Sequence, residues 1–169
     1  MASSSQRSVM LEYGISLLGI PYQWWEGGDF RLDGPPFWSG GIGEVPRQKI
    51  TSCNCTGFLN LIRRKFDLDI PGIGGDYPGG TYEWFHYLIQ KENLEEFDSS
   101  KSYPPGSLLF RPYQSIDDQG HVAIVYENSQ LLHCYSERGV ALDSDIQTSH
   151  SWSEEGYYKY VFTPESWMT

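Results

Sequence analysis

Apolar residues near the N-terminus, Val9, Met10, Tyr13, Leu17 and Leu18, recur at helical spacing behind a serine-rich cap region. The pattern predicts a helix over residues 3–18 that ends near Gly19, with Pro21 beyond it. Periodicity then lapses from 19 to 52. It resumes over 56–66, where Phe58, Leu59, Leu61 and Ile62 mark the buried face of a second helix. A glycine-rich turn region spans 71–80, and a third helix is expected over 81–90, capped by Thr81. After Pro104-Pro105-Gly106 the pattern changes to that of strands, over 107–111, 121–127, 130–135, 139–142 and 157–162. Asn128-Ser129 is a polar turn between two apolar runs, which predicts a hairpin. Helices come first and strands second, so the class is α+β, with N-terminal helices packed on an antiparallel sheet. The chain of 169 residues suits one domain, 1–169.

The aperiodic stretch is not linker-like. Gly19, Gly27, Gly28, Gly34, Gly40, Gly41 and Gly43 alternate with Tyr22, Trp24, Trp25, Phe30, Phe37 and Trp38. Aromatic side chains at this density need a surface to pack on. A structureless loop this long inside a compact domain is usually functional.

Composition narrows the range of partners. The net charge is −10, from 22 acidic and 12 basic residues. The longest basic run is Arg63-Arg64-Lys65. That balance disfavours nucleic-acid backbones and anionic membranes, which need positive fields. No segment has the basic flank and apolar run of a signal peptide or the length of a membrane span. The expected protein is soluble, cytoplasmic or virus- or phage-associated.

Three cysteines are too few, and odd in number, for a disulfide framework. In Ser52-Cys53-Asn54-Cys55-Thr56-Gly57-Phe58 a loop feeds a helix, and Cys55 falls near its first turn. The field of a helix N-terminus favours a thiolate, which predicts a lowered thiol pKa. The same N–H groups can hold the oxyanion formed when a carbonyl is attacked. Cys53 lies before the helix, and Cys134 is expected in the core. His121 opens the apolar strand Val122-Ala123-Ile124-Val125, and His133 lies across the hairpin. A cysteine at a helix start facing a histidine on a sheet, with a polar group behind it, follows the logic of thiol hydrolases. His86 sits in an aromatic helix and His150 in a polar loop; neither is given a role. Zinc ligation by Cys53, Cys55, His133 and Cys134 fits no common zinc spacing, and no metal or cofactor is expected.

Several motifs resemble the NlpC family of cell-wall cysteine peptidases. Cys55-Thr56-Gly57-Phe58 is similar to the family's Cys-Ser-Gly-Phe, and Gly19-Ile20-Pro21-Tyr22 with Trp24 and Gly27-Gly28 to its Gly-x-Pro-Tyr-x-Trp-Gly-Gly. Pro105-Gly106-Ser107-Leu108-Leu109-Phe110 resembles Pro-Gly-Asp-Leu-x-Phe, Gly120-His121-Val122-Ala123-Ile124-Val125 resembles Gly-His-Val-Gly-Ile-Tyr, and Leu132-His133 resembles Ile-His. The motifs stand in the family's order. The resemblance implies a papain-like fold and hydrolysis of an amide bond in peptidoglycan stem peptides, after γ-D-glutamate. By the same resemblance Cys55 is the nucleophile, His121 the general base and His133 its orienting partner. Tyr22 and Asn54 are expected at the peptide or muropeptide substrate.

The chain departs from the pattern in three places. Asn54 stands where the family has Asp, so a charged partner for a free substrate amine is missing. Trp25-Glu26 interrupts the first motif, and the long stretch from Gly28 to Cys55 is expected to form a rim or lid over the cleft. Ser107 replaces an Asp. The histidine motif is also common in CHAP-type amidases, and a related acyltransferase or a catalytically silent module of the same fold are the alternatives.

Overall fold

The computed structural model describes residues 3–143 and 156–169. Helix α1 spans Ser4–Ser16; the Ser3 side chain caps it by accepting from the Gln6 N–H. Helix α2 spans Cys55–Lys65 and α3 Thr81–Lys91, and a short α4 covers Pro164–Trp167. The strands are β1 (Glu95–Glu96), β2 (Leu108–Arg111), β3 (His121–Val125), β4 (Leu131–Tyr135), β5 (Gly139–Asp143) and β6 (Tyr160–Phe162). They form one antiparallel sheet in the order β1-β6-β2-β3-β4-β5. The α+β class expected from the pattern is therefore the class observed. A 3₁₀ turn over Glu127–Ser129 makes the β3–β4 hairpin, with Asn128 and Ser129 both at positive φ.

The central strands are apolar on both faces because both faces are covered. Leu108, Phe110, Val122, Ile124, Leu132 and Cys134 point into a core shared with α1, α2 and α3. Leu109, Ala123, Val125 and Leu131 point the other way, under Phe97, Tyr103, Tyr157 and Tyr158.

Helix α2 differs from its expectation. Its burial is not one-sided: every residue from Cys55 to Arg64 is buried. The polar side chains there find backbone partners, which is what makes their burial tolerable. Arg63 donates to the carbonyls of Asp69 and Trp167, and Arg64 to those of Trp38 and Gly43 and to the Asp33 carboxylate. Asn60 donates to Phe37 and Gly79 and accepts from Trp84. The stretch expected to form a rim or lid is thus tied to α2 through Asp33, Phe37, Trp38 and Gly43. Helix α3 is capped by Gly80, not Thr81, and no side chain makes that cap. Thr81 is the first helical residue, and its hydroxyl is used elsewhere. Among the described residues, no helix is long and apolar enough to cross a membrane.

Candidate active site

The start of α2 is fixed from three sides. The Asn54 side-chain oxygen accepts from the Gly57 N–H at 2.7 Å, capping the helix. The Asn54 N–H donates to the Pro36 carbonyl at 3.1 Å. Position 57 must be glycine because a Cβ there would lie 1.9 Å from that carbonyl oxygen. The long loop therefore presses directly on the helix turn that carries Cys55.

Cys55 is buried, and hydrogen bonding from the Val122 and Thr56 backbone and the Thr81 side chain favours its ionised form. Burial dominates and pushes the thiol up to about 12; nearby Cys134 adds to the rise, while the three hydrogen bonds oppose it. This corrects the expectation of a lowered pKa. The helix N-terminus is present, but desolvation of the thiolate outweighs it.

Val122, whose backbone bears on the thiol, follows His121, the first residue of β3. Gly120, at φ +76°, makes the turn into that strand; a Cβ there would sit 2.2 Å from the Arg111 carbonyl oxygen. His121 Nε2 lies 2.8 Å from His133 Nδ1. His133 Nε2 lies 2.7 Å from Asp143 Oδ2. Asp143 Oδ1 accepts in turn from the Tyr135 hydroxyl at 3.3 Å and from Arg138.

These contacts assign the tautomers. A carboxylate only accepts, so His133 donates from Nε2 and, when neutral, accepts at Nδ1. His121 then donates from Nε2, and Nδ1 is its basic nitrogen. Burial, and next the neighbouring His133, hold His121 well below its usual pKa of 6.5. Burial also lowers His133, against the bond and charge of Asp143. Burial would raise Asp143, yet His133, Arg138 and Tyr135 hold it below the ordinary carboxylate value. The resting site is therefore a neutral thiol and neutral imidazoles above a buried carboxylate. Such a line can take a proton at one end and stabilise the resulting imidazolium from the other.

Asp143 escaped the sequence reading, which ended the line at His133. Its only signal is positional. His133 pairs with Ala141 across the hairpin, so the acidic residue two places on falls on the same face of the sheet. Thr81 was also missed in this role, having been read as a cap.

Tyr22 forms an isolated bridge with Cys53, and burial followed by the nearby Cys55 raises its phenol. Tyr157, from the segment before β6, lies with its ring centroid 6.4 Å from that of His121. Tyr22 and Tyr157 thus flank the thiol. The Asn54 oxygen is engaged in the helix cap, so a substrate contact from this residue would fall to its amide nitrogen. Cys53 and Cys134 are buried with their sulfurs 3.5 Å apart. His86 lies against Tyr82 with ring centroids 4.3 Å apart and the rings tilted, and His150 lies outside the described residues.

No family model and no curated protein matches the chain. Solved structures do. The P60 domain of a Mycobacterium avium subspecies paratuberculosis antigen aligns with a TM-score of 0.55 and 22% identity, over 95% of each chain. A lipoprotein-like NLP/P60 family protein of Staphylococcus aureus aligns at 0.54 and 15% identity; 95% of the present chain is covered but only 42% of that one. RipD of Mycobacterium tuberculosis, described as a non-catalytic NlpC/p60 domain adapted to peptidoglycan binding, aligns at 0.51 and 16% identity, over 93% and 95% of the two chains. At these identities the likeness is one of fold: the chain has the NlpC/P60 fold.

Proposed function

We propose that the protein is a thiol hydrolase that cleaves a peptide amide through an acyl-enzyme on Cys55. The observation that carries this reading is the unbroken hydrogen-bonded line His121–His133–Asp143, which begins at the residue before Val122, whose backbone bears on the Cys55 thiol. As the sulfur attacks the carbonyl carbon, His121 Nδ1 takes the thiol proton. His133 and Asp143 stabilise the imidazolium that forms. The Cys55 N–H, at the first position of α2, is assigned to the developing oxyanion. His121 then protonates the leaving amine, and the thioester is released by a water that His121 deprotonates. Because the thiol and imidazole are neutral at rest, the thiolate forms only with substrate in place.

The fold neighbours, together with the motifs, favour a peptidoglycan-related peptide as the substrate class. Tyr22 is assigned to substrate positioning. The test is a digest of purified cell-wall fragments read by mass spectrometry, with Cys55→Ala as control. New termini that vanish in the variant support the reading.

A second reading is a binding module without activity. The burial and raised pKa of Cys55 favour it, and RipD is described as non-catalytic. Cell-wall fragments retained by wild-type protein without any product would establish it.

A further inference from the structure

A second feature adjoins Cys55. A cavity of about 310 Å³ opens beside α3, lined chiefly by Trp25, Phe30, Phe37, Tyr77, Tyr82 and Ile116. That volume lies at the small end of the range for ligand sites, about 300–1,000 Å³. The aromatic walls hold one another in place. Phe30 stacks on Phe37 at 4.5 Å, and Trp25 meets Phe37 edge-on at 5.7 Å and Tyr77 at 5.5 Å. Phe37 and the glycine-rich segment are both tied to Asn60 of α2. The wall is therefore preformed.

Three observations connect this cavity to chemistry. Gln119, two residues before His121, lines it and donates to the Trp25 carbonyl, and Phe37 follows the Pro36 carbonyl that accepts from Asn54 beside Cys55, so the cavity lies against the elements that carry both groups. The indole Nε1–H of Trp25 is buried and has no partner among the described residues. An orphan donor on an otherwise apolar wall is suited to a substrate carbonyl. Finally, the ionisable lining includes the Glu83 carboxylate but, among the described residues, neither lysine nor arginine. A glutamyl carboxylate would meet no cation there.

We infer that this cavity is the specificity subsite, and that it takes a bulky apolar side chain, aromatic or branched aliphatic, on the residue beside the bond that Cys55 attacks. The inference rests on Cys55 being the nucleophile. At that residue it departs from the γ-D-glutamate that the motif resemblance implies.

The test uses N-acetyl-aminoacyl chloromethyl ketones with alanyl, glutamyl and phenylalanyl side chains. In each, the sulfur displaces chloride, and intact mass reads the rate of C–S bond formation at Cys55. Burying a phenyl ring in such a cavity is expected to make the phenylalanyl probe about tenfold or more faster than the other two. Ile116→Asp and Tyr82→Asp, both at exposed rim positions, are expected to bring the phenylalanyl-to-alanyl ratio near unity. Leu32→Asp, exposed in the same loop but outside the lining, should keep the wild-type ratio. Near-UV circular dichroism checks that each variant is folded. Equal rates for all three probes on wild-type protein would overturn the subsite and leave the nucleophile standing. Failure of every probe to alkylate Cys55, while the denatured chain reacts, would overturn both.

Discussion

Asn60 is the deepest polar tie between α2 and the surrounding loops. It is fully buried, donating to Phe37 at 2.8 Å and Gly79 at 3.0 Å and accepting from Trp84 Nε1 at 2.8 Å. Asn60→Leu nearly conserves volume, so little of its cost would come from a cavity. It leaves two carbonyls and one indole N–H buried without their partner. Each orphaned group costs about 1–3 kcal/mol, so the three together set a range of about 3–9 kcal/mol. Carbonyls have a second lone pair, and the loop can relax, so the expected loss is about 3–5 kcal/mol. Urea unfolding at matched slope measures it as a fall in midpoint. Asn60→Asp should be no better, because its carboxylate would face the same two carbonyls. A loss of less than about 1 kcal/mol for Asn60→Leu would show that the groups re-pair, and the argument for a preformed wall would fail with it.

Two further outcomes follow from the line of groups behind the thiol. With the thiol pushed up to about 12, iodoacetamide should label Cys55 faster as pH rises, about tenfold per unit and with no plateau below about pH 9; a plateau in the mildly acidic range would mean a thiolate–imidazolium pair at rest. Asp143→Asn replaces an obligate acceptor with a group that can also donate, which frees His133 to turn over and leaves His121 without a fixed tautomer. It is expected to cut kcat/KM by about 10–100-fold and to move the acidic limb of the pH–rate profile to lower pH, because without the carboxylate the imidazoles are harder to protonate; an unchanged profile with a matching loss of stability would reduce Asp143 to a structural role.

The parts of this molecule that could be read in advance are those whose cause is local. Val122-Ala123-Ile124-Val125 and Leu131-Leu132 are apolar runs because both faces of the sheet are covered, and runs of that length between turn residues read as strands. Cys55 was legible because a loop meets a helix in the sequence itself. Asp143 was not, since its place depends on hairpin register, which no short window contains. Strand β1 has only Glu95 and Glu96, both exposed; its pairing with β6 makes it a strand, not its pattern. The burial of Asn60, Arg63 and Arg64 depends on carbonyls supplied from distant loops. Thr81 was read as a cap from its type and position, whereas Gly80 takes the cap position and Thr81 is the first helical residue. The thiol pKa was misjudged for a related reason: a helix terminus is visible in sequence, and the depth at which it is buried is not.

The contact between the Pro36 carbonyl and Gly57 has a consequence for how such a molecule could change over evolution or in the laboratory. The peptide that supplies one wall of the cavity, through Phe37, is continuous with the one that presses on the nucleophile's helix turn. Lengthening or shortening the loop to alter selectivity would be transmitted to the reactive sulfur. Selectivity and reactivity are therefore inherited together on this side. On the opposite rim, at Ile116, the exposed side chain belongs to neither that peptide nor the helix turn, and there a new preference can be tried with less effect on the chemistry.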